Sequence, residues 1–258
     1  MTIRSRLRMP DAVTLIELLV IVAIIGVLAS LLLLAISNAK VTASKTQCAN
    51  NLKQLAVALQ MYANDSKDYP LFYSYPWRNG GKIWCDDLQP YTKQSWTNAL
   101  YLCPSYAGPP TKSGVVSDKG FQLPTGSYGY NVGGVGANWS EQKLGLGGGV
   151  DRQLTQISEV RDPIVRVPSD MIAFGDAYVE YDSGKLSGDH GVIGINFRGG
   201  MADLNAPPGK RHRGRLNVVY CDGHTSAIKA SDLLLDHSDD ALRHWNNDHE
   251  PHRELLPR

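Results

Sequence analysis

The chain has 258 residues, 43% of them hydrophobic, and its 26 Lys and Arg offset 25 Asp and Glu to leave a formal net charge of +1. That is enough apolar material for one sizeable core and excludes a disordered tail. No basic block stands out beyond the first residues, so electrostatics give no reason to expect nucleic acid as a partner.

Residues 1–12 carry Arg4, Arg6 and Arg8 against a lone Asp11, and from Val13 to Ile36 the sequence is apolar with a single charge, Glu17. About 20 apolar residues at ~1.5 Å rise cover a hydrocarbon core of ~30 Å, so this stretch predicts a transmembrane helix. The arginines favour a cytoplasmic N-terminus, which sends the rest of the chain out of the cytoplasm. A secretory signal peptide has an apolar region of about 7 to 15 residues, and the run here is longer and flows straight into a helical pattern. A carboxylate inside a membrane helix is expensive and marks a functional position, so Glu17 needs a partner. A cut between Ala12 and Val13 would put a new ammonium on Val13, able to pair with Glu17 of a neighbouring subunit.

The segment Ala12, Val13, Thr14, Leu15, Ile16, Glu17, Leu18, Leu19, Val20 resembles the cleavage and methylation motif of type IV pilins and type II secretion pseudopilins. That resemblance implies removal of a 1–12 leader by a prepilin peptidase, N-methylation of Val13, a role for Glu17 in assembly, and partnership with other pilin or pseudopilin subunits. It also implies a single-pass protein of the inner membrane with its C-terminal domain periplasmic or extracellular. The usual pattern has Gly before the cut and Phe after it; Ala12 and Val13 stand in those places.

The helical pattern continues past the membrane. Cys48, Leu52, Leu55, Leu59 and Tyr62 recur at intervals of four and three, with Lys53, Gln54 and Gln60 off the stripe, which predicts an amphipathic continuation over 37–66. No Pro interrupts Val13 to Asn64, and Asn64, Asp65, Ser66 and Pro70 end the run. One helix of about 50 residues, ~75 Å long, would then pack on a globular domain over 67–258. The expected fold class is α+β, a long helix on an antiparallel sheet, the lollipop of the pilins that the resemblance implies.

From Tyr69 to Tyr130 the chain is rich in Tyr, Trp, Pro and Gly and reads as loops and short strands. In an oxidising compartment Cys85 and Cys103 are candidates for a disulfide closing a loop of about 19 residues, worth ~3 kcal/mol. Cys48 and Cys221 lie in apolar patterns and read as buried small residues. The Gly-rich run from Gly126 to Gly149 lacks the strand, helix and Lys-Ser/Thr context of a phosphate loop and reads as a flexible surface loop. Asn138, Trp139 and Ser140 form a sequon.

Strands are expected at Ile164–Val167, Met171–Phe174, Gly191–Phe197 and Leu216–Cys221. In the last of these Leu216, Val218 and Tyr220 share a side, and Asp222-Gly223 signals a hairpin turn with His224–Ile228 as the returning strand. His212, nine intervening residues, then Asp222 and Gly223 resemble the H-X9-DG domain at the C-terminus of certain prepilin-like proteins. The Ser127–Asn131 and Cys103–Ser105 segments are similar to that group as well. This resemblance implies membership without a chemistry.

Asp176, Asp182, Asp189, His190, His212, Asp222 and His224 are donors that a fold could gather around a metal. Calcium comes first by the hardness of the carboxylates and because some major pseudopilins hold it in a C-terminal loop; a loop anchor is the plainer reading of the same residues. No HExxH or GxSxG is present, and no enzyme is expected. In 231–258, Ser231 signals a helix start, Trp245 is expected to pack back on the domain, and His237, His244, His249 and His252 form a polar edge open to protons or metal. The leading reading is a pilin- or pseudopilin-like structural subunit. The alternatives are a non-polymerising anchored surface protein whose domain binds a ligand such as a polysaccharide, and a membrane-anchored enzyme.

Overall fold

The computed structural model describes residues 14–72, 82–106, 127–135, 144–150, 157–177, 180–182, 185–187 and 211–256. The leader, the Ala12/Val13 cleavage position, Asp189, His190, the sequon and the expected strand Gly191–Phe197 lie outside them. The chain divides into two compact units, Met1–Ala43 and Ser44–Arg258.

Helix α1 runs Leu15–Ser66, 52 residues, and matches the expected extent. In its first part the large apolar residues from Leu15 to Ile36 are exposed, and this helix is long and apolar enough to cross a membrane. Thr14 caps its start. The Thr14 backbone N–H and hydroxyl donate to Glu17 Oε2 (2.8 and 2.7 Å) while the Glu17 N–H donates to Thr14 Oγ1 (3.3 Å). This is a reciprocal capping box, T-x-x-E, so within this chain the Glu17 carboxylate already satisfies helix-terminal donors.

In the second unit the predicted stripe is the buried one: Cys48, Leu52, Leu55 and Leu59 are at most 1% exposed. Fully burying each Leu is worth about 2 kcal/mol. Asn51 shares that face and donates to the Ala99 and Leu102 carbonyls (3.0 and 3.1 Å), which ties α1 to the segment before Cys103.

The stretch expected to be loops and strands contains a helix, α2, Trp84–Thr92. Asp86 accepts the Ile83 N–H (3.2 Å) at its start, and Lys93, at φ 55°, closes its end. Its nine residues carry Pro90 in the last turn, and Pro90 lacks the N–H that would donate to the Asp86 carbonyl. A helix this short has too few periods to announce itself.

The sheet is antiparallel. β1 (Tyr128–Tyr130), β4 (Ile172–Asp176), β7 (Arg215–Tyr220) and β8 (Thr225–Lys229) lie in the order β1-β4-β7-β8. β2 (Gly149–Val150) pairs with β3 (Ile157–Ser158), and β5 (Glu180–Asp182) with β6 (Lys185–Ser187). The expected strands near 171 and 216 and the returning strand after Gly223 are all present. Ile164–Val167 is not a strand: Pro163 sits in a 3-10 turn over Asp162–Ile164, consistent with a missing donor and a fixed φ.

Period-two alternation assigns the two faces of β7, and a register shift between Ile172 and Phe174 turns these two residues of β4 to opposite faces. Val219 and Phe174 join α1 and α2 in one core cluster. Leu216, Val218 and Tyr220 turn the other way, with Ile172, onto Leu233, Leu234, Leu242 and Trp245 of the C-terminal segment. Two short helices there, Ala230–Leu234 and Asp239–Arg243, begin at Lys229 and Ser238 rather than at Ser231; Ser238 Oγ accepts the Ala241 N–H (3.3 Å).

The described part of the Gly-rich run is not a surface loop. Ser127 to Val135 are buried. Asn131 Nδ2 donates to the Ile172 and Trp245 carbonyls (2.8 and 2.9 Å), and its Oδ1 accepts the Gly134 N–H (3.1 Å). A Cβ at Gly145 would run into the Val132 carbonyl, so this glycine allows two backbone segments to touch.

Candidate functional site: a buried cysteine, histidine and aspartate cluster

Four elements converge beneath the sheet. α1 supplies Cys48, and the segment after the 3-10 turn Ala99–Tyr101 supplies Cys103. The end of β4 supplies Asp176, and the turn before β7 supplies His212. Potential ligand atoms of the four lie within 4.8 Å of one another, all buried.

Cys48 and Cys103 form a disulfide, with 5.0 Å between Cα atoms. This corrects the expected Cys85–Cys103 pair. Cys85 and Cys221 are buried and take no part in a disulfide. The reason is tertiary: Asn51 draws the 99–102 backbone onto the buried face of α1. The Cys103 N–H then donates to Ser127 Oγ (2.6 Å), and Ser127 Oγ donates to the Tyr101 carbonyl (2.9 Å). Cys103 is thereby held over α1, where Cys48 lies. The pairing closes 55 residues of separation, worth about 4 kcal/mol by loop-closure entropy. The Cys221 thiol stays protonated, because burial pushes it well above its usual range.

His212 Nε2 lies 3.3 Å from Cys103 Sγ and 3.7 Å from Asp176 Oδ2. The same carboxylate oxygen accepts the Asn217 backbone N–H (2.7 Å) and side-chain amide (3.1 Å). A carboxylate taken wholly out of water requires such donors. His212 and Arg213 both adopt positive φ, 48° and 63°, ahead of Gly214 at 78°. Two successive non-glycine residues in this region cost on the order of 1–2 kcal/mol each, so the contacts of the buried imidazole hold a strained turn.

Asp222 and Gly223 are elsewhere. They sit in the β7–β8 hairpin turn, separated from His212 by the length of β7, roughly 20 Å for six residues at ~3.3 Å. The Gly223 N–H donates to the Tyr220 carbonyl (2.9 Å) and the Tyr220 N–H to the His224 carbonyl (3.0 Å). Only Gly223 of the pair needs positive φ, 91°. Asp222 Oδ1 accepts the His224 N–H (3.0 Å) and contacts its ring (2.7 Å), and Gln60 Nε2 of α1 reaches the Cys221 carbonyl (3.4 Å). The H-X9-DG spacing is thus one central strand with both of its ends.

Of the expected metal donors, Asp176 and His212 come together, Asp222 and His224 pair with each other, and Asp182 lies on β5. Sequence reasoning separated the cysteines from these donors. The only available signal was that Cys48 stood on the same helical face as the core.

His244, His249 and His252 lie against carboxylates. Asp170 meets His244 (2.8 Å) and His249 (3.5 Å), and His252 bridges Asp248 (2.8 Å) and Glu254 (3.0 Å). Trp245 is buried as expected. Partial burial draws the His252 pKa down, but hydrogen bonds to Asp248 and Glu254 outweigh it and leave it above the ordinary 6.5. The stability it contributes is therefore full below pH 6.5 and is lost as pH rises through the elevated folded value. Melting temperature is expected to fall across that interval in the native chain, and the fall to shrink in His252→Gln.

Residues 37–146 match a family model, SBP_bac_10, described as protein of unknown function (DUF1559). No curated protein and no solved structure matches the chain. The matched stretch takes in Cys48 and Cys103, and together with the apolar helix it supports a pilin-like surface protein.

Proposed function

We propose that the chain is a pilin- or pseudopilin-like structural subunit, cleaved by a prepilin peptidase after Ala12, methylated on Val13 and associated with a type II secretion or pilus-like filament. The observation that carries this reading is the division of labour along α1. Its first half exposes an unbroken apolar surface to a bilayer or to like helices, and its second half is the core helix of a sheet domain.

Glu17 fits an assembly role because its capping partner, Thr14, is next to the new N-terminus. The same carboxylate can complete the helix start and attract an ammonium from a neighbouring subunit. The arginines of the leader set the domain outside the inner membrane. The role is structural rather than enzymatic. A ligand-binding surface protein gains no support from the described tryptophans, since Trp84, Trp96 and Trp245 are all core residues.

Intact mass and N-terminal sequencing of membrane-extracted protein, made with and without an active prepilin peptidase, test the reading. A chain starting at Val13 only when the peptidase is active is expected. Retention of residues 1–12 in both would leave a signal-anchored surface protein. Glu17→Ala is expected to leave cleavage intact and to abolish co-isolation of a second, tagged copy from mildly solubilised membranes.

A further inference from the structure

We propose that Cys48, Cys103, His212 and Asp176 hold a zinc ion when the two cysteines are thiols, so that zinc and the disulfide are alternative occupants of one buried site. Zn–S bonds of about 2.3 Å and Zn–N and Zn–O bonds of about 2.0–2.2 Å give a tetrahedron with donor-to-donor edges of roughly 3.3–3.8 Å. His212 Nε2 already lies 3.3 Å from Cys103 Sγ and 3.7 Å from Asp176 Oδ2. The four donor atoms all lie within 4.8 Å of one another, and reduction severs the S–S bond and lets the two sulfurs part to the length of a tetrahedral edge.

The donor chemistry is that of zinc: two sulfurs, an imidazole and one carboxylate oxygen, in place of the all-oxygen shell that calcium takes. The surroundings are those of a prepared site. Asn217 fixes the carboxylate with two hydrogen bonds, as outer-shell partners of metal ligands do. The turn bearing His212 holds two successive non-glycine residues at positive φ. The charges also match. With a neutral imidazole and an ionised Asp176, zinc cancels the two thiolates and the buried site carries one negative charge in either state.

The chemistry balances with a trialkylphosphine as reductant. The phosphine takes an oxygen from water to become its oxide, and the two hydrogens end on Cys48 and Cys103 as thiols. Zinc then binds the thiolates and releases both protons to solvent.

The test uses the full chain in detergent micelles, reduced with phosphine under denaturant and returned to micelles anaerobically. Thiol titration should rise from the two of Cys85 and Cys221 to all four cysteines. Cobalt(II) is the optical probe. One equivalent is expected to give the thiolate charge-transfer band and the visible bands of a tetrahedral site, both bleached by one equivalent of zinc, and the oxidised chain should give neither.

His212→Gln and Asp176→Asn should each weaken cobalt binding at least tenfold, whereas a Cys85→Ala/Cys221→Ala chain should retain the bands. A fully reduced chain without the tetrahedral bands, folded or not, overturns the proposal and leaves His212 and Asp176 as a loop clip. Bands lost in the Cys85→Ala/Cys221→Ala chain overturn it as well.

Discussion

Replacing Cys48 and Cys103 together by Ala is expected to lower the stability of the oxidised protein by about 4 kcal/mol, because the bridge closes a 55-residue separation and its removal restores that freedom to the unfolded chain. The loss is a large part of what a domain of this size has in reserve. Cys85→Ala provides the contrast. It removes one buried sulfur and no cross-link, so a cost of about 1 kcal/mol is expected. Denaturant unfolding in micelles reads both effects, and peptide mapping under non-reducing conditions reads the pairing. A peptide joining residue 85 to residue 103 would overturn the assignment, as would an unfolding midpoint indifferent to the double replacement.

Trp84→Ala is expected to cost about 3–5 kcal/mol. Trp84 is fully buried at the first turn of α2. Its ring centroid lies 5.5 Å from Trp96 in an edge arrangement, 5.5 Å from Tyr130 on β1 and 5.1 Å from Phe174 on β4. The indole therefore fastens α2 to the sheet, and truncation leaves a cavity walled by rigid rings that cannot collapse into it. Trp84→Phe refills most of the volume and should recover more than half of the loss. Near-ultraviolet circular dichroism should show the aromatic signal weakened in Trp84→Ala while the far-ultraviolet helix signal remains. An unchanged near-ultraviolet spectrum would mean that this cluster does not order the core.

The two replacements probe what was least visible along the chain. Cys48 stood on the predicted stripe and is buried there, yet its covalent partner depended on Asn51 and Ser127 bringing the Cys103 segment onto α1. The place of Cys48 in an apolar pattern read as that of a buried small residue, which left Cys85 as the expected partner, and the packing of α1 decided otherwise. Similarly, α2 is held by Trp84 against the sheet, and its nine residues contain too few turns and one Pro to be read as a helix from periodicity.

By itself the sequence determined α1, since an unbroken apolar run followed by a regular stripe permits few other structures. It determined the β7–β8 hairpin as well, because a strand with Leu216, Val218 and Tyr220 on one side ends at a Gly able to take positive φ. Both are local matters of period and backbone sterics. The Cys48–Cys103 bridge, the burial of the Gly-rich segment and the meeting of His212 with Asp176 were decided only by the tertiary structure. Each brings together groups tens of residues apart, and whether a buried charge, thiol or glycine finds its partner depends on which elements pack on which face of the sheet.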